Sequence, residues 1–367
     1  MTAKHLLLVG GGHAHVAVLA DWIRHGLPCE RATLLTPYLT LRYSGMVPGW
    51  ISGQYERDEG LVDLAALAAR AGVELVLDRC TGIDPASNEA LTASGERVQF
   101  DLASIDIGGV GRARALLGGD RRLLDIRPID EFVTGLERLG AAGRIAVVGG
   151  GAGGVELAFA LRNHDGEKVR PEVVFLTGSE GLVPGFSESV KTLIAGRLQD
   201  QGITLITQNA AVVDGDLMAG DASAEPVDLI VAALGSAAPG WPRASGLACD
   251  ADGFIAVDRY QRSISHPHIF AVGDVASRQD SVVPHSGVHA VMAGPIIAAN
   301  LRAAAHGAKP QDTYRPRRYS LYLMSTGDGS AIASYGPLSA NGRWVGRIKH
   351  WIDTRWIRKY ARMAGTV

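Results

Sequence analysis

Short apolar runs alternate with helical patterns along this chain. The first run, Leu6–Val9, is followed by a helical pattern over Val16–Ile23 and by a second apolar run at Ala32–Leu35. The alternation continues with a helical stretch at Asp63–Gly72 and a strand at Val73–Leu77. Because strands that alternate with helices pair in parallel, this order predicts βαβ units around a parallel sheet.

A glycine-rich corner joins the first strand to the first helix. Gly10 and Gly12 occupy the first two positions of a Gly-x-Gly-x-x-Gly spacing, and His15 occupies the third. Such a corner presents backbone N–H groups and a helix N-terminus to a dinucleotide pyrophosphate. The third glycine normally allows close packing, so His15 predicts a wider helix–strand contact or a ring turned outward. A structural corner without a ligand is the alternative.

The opening pattern is repeated at Arg144–Leu161, where Gly149, Gly151 and Gly154 fill all three positions. One such spacing is a weak signal, whereas two copies, each between a strand and a helix, predict two dinucleotides. The elements that follow are predicted as a strand at Glu172–Leu176, a helix at Ser187–Gln201, and strands at Ile203–Thr207, Val227–Gly235, Phe254–Asp258 and His268–Asp274.

These elements predict an α/β fold with two Rossmann-like, three-layer domains, the second inserted in the first. At 367 residues the chain is long enough for two cores. The first domain is assigned to residues 1–125 and 246–320, and the second domain to 126–245. Residues 321–367 form a tail of strands and a basic amphipathic helix, and the Pro- and Gly-rich segment Gly235–Gly246 predicts a linker.

Composition narrows the class of protein. Hydrophobic residues make up 47% and charged residues 20%, as in folded globular proteins, and a net charge of −2 supplies no basic field for nucleic acid. Cys29, Cys80 and Cys249 show no CxxC or CxxxxC spacing, so we predict neither a redox dithiol nor a metal site. With no long apolar stretch and no secretory pattern, we expect a cytoplasmic protein.

Both strands that follow the glycine corners end on threonine. Thr36 and Thr177 stand where an acidic residue usually binds the ribose hydroxyls, and a hydroxyl makes that bond without charge assistance. Glu180 follows Thr177, and no arginine is present there to hold a 2′-phosphate. The preference between NADH and NADPH therefore stays open.

Further segments resemble those of two-dinucleotide flavoproteins. His266–Ala276 is similar to the strand and turn whose aspartate binds the ribityl chain of FAD in those proteins. Leu102–Gly109 and Leu229–Pro239 resemble their two Ala-Thr-Gly exits, here Ile-Gly-Gly and Ala-Leu-Gly. Together with the two corners, in this order, the chain resembles the pyridine nucleotide–disulfide oxidoreductase superfamily over nearly its whole length.

The positions of the cysteines indicate which branches of that superfamily the chain does not resemble. The missing CxxxxC argues against the disulfide reductases, and the scattered cysteines argue against the sulfide:quinone oxidoreductases. The chain is most similar to type II NADH:quinone oxidoreductases. Tyr43–Tyr55 and Ser325–Asp353 resemble, more closely still, the flavoprotein domain fused ahead of selenide water dikinase.

The resemblance implies two cofactors, FAD and NAD(P)H. It implies FAD contacts at Gly10, Gly12, Ala14, Thr36, Gly109, Gly273 and Asp274, and nicotinamide nucleotide contacts at Gly149, Gly151, Gly154 and Gly235. Further cofactor-binding residues are assigned beside these, namely His13, His15, Pro37, Gly45, Cys80, Gly108, Thr177 and His285. A purely structural role is the alternative for Cys80. The segment Ser44–Gly53 is expected to cover or approach the flavin.

Two residues are assigned catalytic roles. Glu156 corresponds to a glutamate near the nicotinamide in the relatives, and its alternative role is a carboxylate favoured by the dipole of its helix. His285, with His289 nearby, could relay protons, because histidine titrates near neutrality; packed or solvated rings are the alternative.

The resemblance implies a flavoenzyme that takes a hydride from NAD(P)H and passes electrons to a small quinone-like acceptor. One alternative is a nucleotide-binding redox sensor with slow turnover. The other is a reductase for a selenium or sulfur compound.

The tail offers a candidate membrane contact. Arg343–Met363 carries seven Lys/Arg against one acidic residue, with Trp344, Ile348, Trp351 and Ile352 on one face at helical spacing. A basic helix with tryptophans can lie in a membrane interface, which would place the protein peripherally on the inner face of the membrane. Packing on the body of the protein or a homodimer contact are the alternatives.

Overall fold

A computed structural model describes residues 3–164, 170–223 and 226–366, apart from the side chains of Arg138 and Ala141. The ends of the predicted domain ranges, at residues 1, 2 and 367, lie outside the described residues. Within them the chain has the predicted α/β fold, with two parallel sheets.

The α-helices are listed in chain order: α1 (His13–His25), α2 (Val47–Ile51), α3 (Leu64–Ala71), α4 (Ala113–Leu117), α5 (Ile129–Gly135), α6 (Ala152–Arg162), α7 (Glu188–Asp200), α8 (Trp241–Ala244), α9 (Gly287–Ala305) and α10 (Arg343–Ala364). Short 3₁₀ turns lie at Ser44–Met46, Leu136–Ala141 and Gly273–Val275.

The strands of the first half are β1 (His5–Val9), β2 (Arg31–Thr36), β3 (Thr40–Arg42), β4 (Leu61–Asp63), β5 (Glu74–Leu77), β6 (Cys80–Asp84), β7 (Glu89–Thr92), β8 (Arg97–Gln99), β9 (Leu102–Ile105), β10 (Val110–Gly111), β11 (Leu123–Asp125), β12 (Arg144–Val148) and β13 (Glu172–Leu176). Those of the second half are β14 (Thr204–Ile206), β15 (Ala210–Val213), β16 (Asp216–Ala219), β17 (Ala222–Ser223), β18 (Leu229–Ala232), β19 (Ser236–Ala237), β20 (Ile255–Val257), β21 (Ile269–Ala271), β22 (Ala276–Arg278), β23 (Tyr322–Ser325), β24 (Ala331–Tyr335) and β25 (Leu338–Gly342).

The first sheet has the order β21-β9-β1-β2-β5, and every neighbouring pair is parallel. Its strands are apolar on both faces because α1, α3 and α9 pack on one side and a second apolar cluster fills the other. Strand β21 comes from the segment predicted to return to the first domain, and it pairs with β9 along Ile269–Ala271.

The second sheet has the order β11-β18-β12-β13-β14 and is also parallel. Its edge strand β11 ends at Asp125, immediately before the proposed start of the second domain, and hydrogen-bonds to β18 of that sheet. Apolar clusters pack on both of its faces. Each sheet therefore presents the carboxyl end of a central strand, β1 or β12, to a glycine corner.

The two exits that resemble Ala-Thr-Gly segments meet each other. Strand β10 pairs antiparallel with β19, so the chain leaving the first sheet lies against the chain leaving the second. A Cβ on Gly109 would lie 2.5 Å from Cβ of Ser236, which explains the small residue at this crossing. The predicted linker Gly235–Gly246 therefore contains regular structure, β19 and α8, because its first residues pair with β10.

The tail forms the sheet β23-β24-β25 and the long helix α10. Val345, Tyr360 and Ala364 are the buried apolar side of α10, and the helix packs on β24, β4 and α3. By length and composition alone α9 could span a membrane, yet its Gly294 lies against Ala17 of α1 in the core of the first domain.

Candidate functional site

The first glycine corner, Gly10–Gly12, is held tightly between β1 and the segment after β9. Gly10 has φ +88°, and its N–H donates to the carbonyl of Leu35 at 2.8 Å. A Cβ on Gly10 would lie 2.7 Å from Cγ2 of Ile107, and the N–H of Gly12 donates to the carbonyl of Asp106 at 3.1 Å. Only glycine fits the first position, as the spacing predicted.

The ring of His15 does not turn outward, so of the two alternatives from the sequence only a helix–strand contact that includes the ring remains. The side chain is fully buried between α1 and β9. Nδ1 lies 2.6 Å from the carbonyl oxygen of Gly10, so it carries the hydrogen, and Nε2 accepts from the hydroxyl of Ser104 at 2.8 Å. Burial lowers the pKa of His15 to about 4, so the ring is neutral. The imidazole thus joins the helix to the corner where a glycine would otherwise allow direct contact.

Asp106, which the sequence analysis did not single out, lies at the N-terminus of α1. Its Oδ2 accepts from the N–H of Ala14 at 2.8 Å and from the N–H of His15 at 3.0 Å. Burial, together with the charge of Asp274, raises the pKa of Asp106 to about 7, although the two N–H donors oppose that shift. A carboxyl group therefore already lies in the anion-binding end of this helix.

Asp274 faces the first corner from the opposite side. Gly273, with φ +73°, brings the chain close to Asp106, and a Cβ there would lie 2.7 Å from Oδ1 of Asp106. Asp274 is buried and pairs with the Nη2 of Arg127 at 2.9 Å. Arg127, also missed in the sequence, follows β11 and therefore brings a cation from the second domain into the cleft.

His13 begins α1 and points toward aromatic residues. Its ring centroid lies 5.8 Å from that of Tyr43 and 5.6 Å from that of Trp356, and these two rings stack at 4.6 Å. Burial and the nearby Arg127 lower the pKa of His13 to about 4. Its Nε2 is buried and has no hydrogen-bond partner among the described residues.

Three further residues predicted to bind cofactor, Thr36, Pro37 and Cys80, lie at or beside strand ends. Thr36 ends β2 and is buried, and its Oγ1 accepts from the N–H of Tyr38 at 3.4 Å, across Pro37. Cys80 begins β6. Burial raises the pKa of its thiol to about 11, and the thiol donates to the carbonyl of Gly82 at 3.3 Å.

The second glycine corner, Gly149–Gly151, repeats the first. Gly149 has φ +123°, and its N–H donates to the carbonyl of Leu176 at 2.8 Å. A Cβ on Gly154 would collide with the carbonyl oxygen of Gly149, whereas a Cβ on Gly151 or Gly153 would meet no heavy atom within 4 Å. The corner is therefore closed toward the sheet and open toward the cleft, as a bound pyrophosphate needs.

The ends of the strands beside the second corner show no charge for the ribose. Thr177 is buried and its hydroxyl lies 3.3 Å from the carbonyl of Gly178 and 3.5 Å from that of Ile206. Glu180 is exposed. Gly235, after β18, has φ +78° and open space around it.

Glu156 lies in a largely buried charged group that the sequence did not predict. We call Tyr43, Glu156, Lys349 and Asp353 the lysine cluster. Nζ of Lys349 lies 3.5 Å from Oε1 of Glu156 and 3.1 Å from Oδ2 of Asp353, and Tyr43 donates to Oδ1 of Asp353 at 3.3 Å. The N–H of Ser325 donates to Glu156 at 2.9 Å. Glu156 thus pairs with α10 instead of serving only the dipole of α6.

The lysine cluster holds two carboxyl groups for one ammonium. Burial raises the pKa of Glu156 and of Asp353, although Lys349 opposes both shifts. Burial alone would lower the pKa of Lys349, but the two carboxylates raise it above its ordinary value. Lys349 is therefore charged, and the two carboxyl groups together retain a proton to a higher pH than an exposed pair would.

The segment Ser44–Gly53 lies beside this cluster. Lys349 donates to the carbonyl of Gly45 at 3.1 Å, and a Cβ on Gly287 would lie 3.6 Å from Oγ of Ser44. Tyr43, just before the segment, contacts both the lysine cluster and Trp356 beside His13. The segment therefore lies between α10 and the start of α9.

His285 and His289 line one small cavity, but their rings contact different partners. The ring of His285 packs 4.1 Å from that of Phe254, just before α9. His289 is buried and its Nδ1 lies 2.6 Å from the hydroxyl of Tyr314. Both line a small cavity together with Asp274. His289 is therefore better described as a packed core residue than as a residue free to relay protons.

The described residues fit two dinucleotides. At the first corner, Nε2 of His13 and Nε of Arg127 are buried without partners among the described residues. A Cβ on Gly108, φ +68°, would meet no atom within 4 Å, so this exit leaves room above the corner. The second corner offers the same open space at Gly151 and Gly153. The unsatisfied N–H of Arg127, beside open backbone, is what an anionic ligand would complete.

Comparisons with known proteins agree with this geometry. The profile of the family described as pyridine nucleotide-disulphide oxidoreductase matches residues 4–294. The NADH dehydrogenase-like protein YutJ of Bacillus subtilis is 24% identical over 292 residues, covering 77% of this chain and 78% of its own.

Two solved structures share the fold. The sulfide:quinone oxidoreductase of Aquifex aeolicus superposes with a TM-score of 0.79 at 20% identity, covering 98% of this chain and 92% of its own. NDH2 of Plasmodium falciparum in complex with NADH superposes with a TM-score of 0.79 at 14% identity, covering 98% and 99%.

Proposed function

Because the chain belongs to the pyridine nucleotide-disulphide oxidoreductase family and is an FAD-dependent NAD(P)H oxidoreductase, we propose that a quinone accepts its electrons. FAD supplies the hydride acceptor and electron carrier of this reaction. The protein's contribution is to bind both nucleotides by backbone N–H groups, to exclude water, and to supply protons to the acceptor.

The lysine cluster is the observation that carries this proposal. A quinone reduced to a quinol takes up protons together with electrons, so its site needs a proton donor. Burial raises the pKa of Glu156 and of Asp353 beside the charged Lys349, so this pair loses its last proton at a higher pH than exposed carboxyl groups do. Tyr43 connects the cluster to the aromatic rings beside His13. We assign Glu156 as the proton donor because it projects from the helix of the second glycine corner.

The experiment has two stages. The purified protein is first titrated with NADH and NADPH without air, and its flavin absorbance should be bleached by at least one of them. A water-soluble quinone should then restore the oxidised spectrum and support many turnovers. A slow, long-lived reduced form would favour the redox sensor. Faster reoxidation by a selenium or sulfur compound than by the quinone would indicate that such a compound is the electron acceptor.

Replacing Glu156 by glutamine tests the proton donor. Glutamine retains an oxygen for the N–H of Ser325 but carries no acidic proton. We expect kcat with quinone to fall about 10²-fold, as for loss of a general acid, with unchanged FAD content. Wild-type kcat should fall as pH rises above the raised pKa of the carboxyl pair. Glu188→Gln, at an exposed position on α7, is the control, and equal rates in both variants would refute the assignment.

The exposed side of α10 suits a membrane surface. Trp344 is 52% exposed and Trp351 is 58% exposed, with Ile348 between them at 40%. Arg347 and Arg355 are exposed beside them, and Arg355 lies over the ring of Trp351 at 5.2 Å. Ile352, predicted on the same face, is half-buried. We propose that this half of α10 contacts anionic lipid, while Tyr360 and its neighbours pack on the body.

The variant Trp344→Ala/Trp351→Ala tests that contact. Each indole contributes apolar area to an interface, so the double variant should bind anionic vesicles about tenfold more weakly in sedimentation assays. Leu116→Ala, equally exposed at 52% on α4, should bind like wild type. Equal binding of all three proteins, or equal binding to uncharged vesicles, would contradict the proposal.

A further inference from the structure

We propose that Asp106, which lies beside the site of the FAD pyrophosphate, must be uncharged when FAD is bound, so that FAD binding takes up a proton. The inference concerns FAD binding alone. It holds whatever accepts the electrons, and its test needs neither NAD(P)H nor a quinone.

Asp106 occupies backbone groups of the kind that bind a pyrophosphate. Its Oδ2 accepts from Ala14 and His15, the second and third residues of α1. In a dinucleotide corner these N–H groups and the helix dipole face the phosphates. The second corner differs, because a Cβ on Gly12 would collide with the carboxyl group of Asp106, whereas a Cβ on the equivalent Gly151 would meet no heavy atom within 4 Å.

Asp106 cannot leave this position easily. A Cβ on Gly12 would collide with its carboxyl group, and a Cβ on Gly273 would lie 2.7 Å from its Oδ1. The carboxyl group is therefore enclosed between the first corner and the chain that carries Asp274. A pyrophosphate seated on Gly12 would lie beside it, and a charged carboxylate there would repel the phosphates.

The charged groups around Asp106 do not neutralise it. Asp274, on the chain after β21, adds a second negative charge, and it is this residue that pairs with Arg127. His15, on α1, is neutral and bonded to Gly10 and Ser104. His289, on α9, faces Asp274 and is bonded to Tyr314. Among the described residues, no cation forms an ion pair with Asp106.

These surroundings determine how protonation of Asp106 affects the affinity for FAD. Burial and Asp274 already raise the pKa of Asp106 to about 7, and a bound pyrophosphate adds charge of the same sign and raises that pKa further. One proton passes from solvent to Oδ1, the oxygen that accepts from neither N–H group. FAD affinity should therefore fall as pH rises above neutrality, by at most about tenfold per pH unit.

The test measures FAD binding to protein stripped of its flavin, by quenching of FAD fluorescence from about pH 6 to about pH 8.5. Wild type should lose about tenfold in affinity over the upper part of this range. Asp106→Asn keeps an oxygen for both N–H groups and removes the charge, so its affinity should be independent of pH and higher than that of wild type at the upper end. Equal slopes in the two proteins would refute the proposal.

Two further measurements make the test independent of the Asp106→Asn variant. Asp228→Asn is the matched control, because Asp228 likewise accepts from two N–H groups, those of Gly143 and Arg144, at the amino end of β12 and away from the first corner. It should behave like wild type. Calorimetric titration of wild type in two buffers of different ionisation enthalpy counts the protons bound with FAD. Uptake approaching one proton at about pH 8 is expected, and no uptake would overturn the inference.

Discussion

We expect the Gly154→Ala variant to bind FAD normally and to lose the bleaching of its flavin by NAD(P)H. The new Cβ would collide with the carbonyl oxygen of Gly149 and lie 3.3 Å from Cε2 of Phe175. Because the first contact is with backbone, α6 or the second corner must move. Distortion of about 3 kcal/mol, typical of overpacking, corresponds to about 10²-fold weaker binding of the nucleotide.

Gly196→Ala, in the middle of α7 and away from both corners, is the control. A Cβ there would meet no heavy atom within 4 Å, and alanine is the better helix former. Anaerobic titration with NADH and NADPH compares the two variants, while dithionite shows that the flavin of each can be reduced. Normal bleaching of the Gly154 variant, or equal loss in both, would contradict the geometry of the second corner.

The Lys349→Met variant should be the most destabilised of the single substitutions considered. It leaves Glu156 and Asp353 in a largely buried site without their cation. Removing one member of a buried ion pair typically costs about 3–5 kcal/mol in the free energy of unfolding. Urea unfolding at about pH 8 measures this loss, and Lys191→Met, whose partner Glu188 is exposed, should change stability by less than about 1 kcal/mol.

The pH dependence of Lys349→Met has a definite sign. Burial raises the pKa of Glu156 and of Asp353 above their values in the unfolded chain, so the folded protein binds more protons. Its stability therefore falls as pH rises from the unfolded pKa, about 4, through the raised pKa. Adding Glu156→Gln to the Lys349→Met variant removes one of the two unpaired carboxyl groups, so it should restore part of the stability at high pH. A pH-independent loss would show that lost packing, not charge, is responsible.

Local patterns were sufficient to predict the two sheets and their glycine corners. Strand β13 has the predicted bounds, Glu172–Leu176, because a continuous apolar run bounded by polar residues is typical of a strand buried on both faces. Helix α3 likewise lies between Asp63, which caps its first turn, and Gly72 in the left-handed conformation. These signals are carried by neighbouring residues and need no knowledge of the tertiary fold.

The charged parts of the site were not predictable from local patterns. Asp106 bonds to an N–H group 92 residues earlier, and Lys349 donates to a carbonyl 304 residues earlier. No spacing along the chain identifies such partners. The sequence left two alternatives open for His15 for a related reason, since the hydrogen bond that turns the ring inward is made to Ser104, 89 residues away.

Pairing of β21 with β9 has a consequence for the order in which this polypeptide acquires its shape. The nascent chain makes β9 long before β21, and the whole second sheet is synthesised between them. Until Ile269–Ala271 emerges, β9 is an open edge that can pair with other chains. Slow translation or early termination within the inserted segment would therefore expose the nascent protein to aggregation and to chaperones.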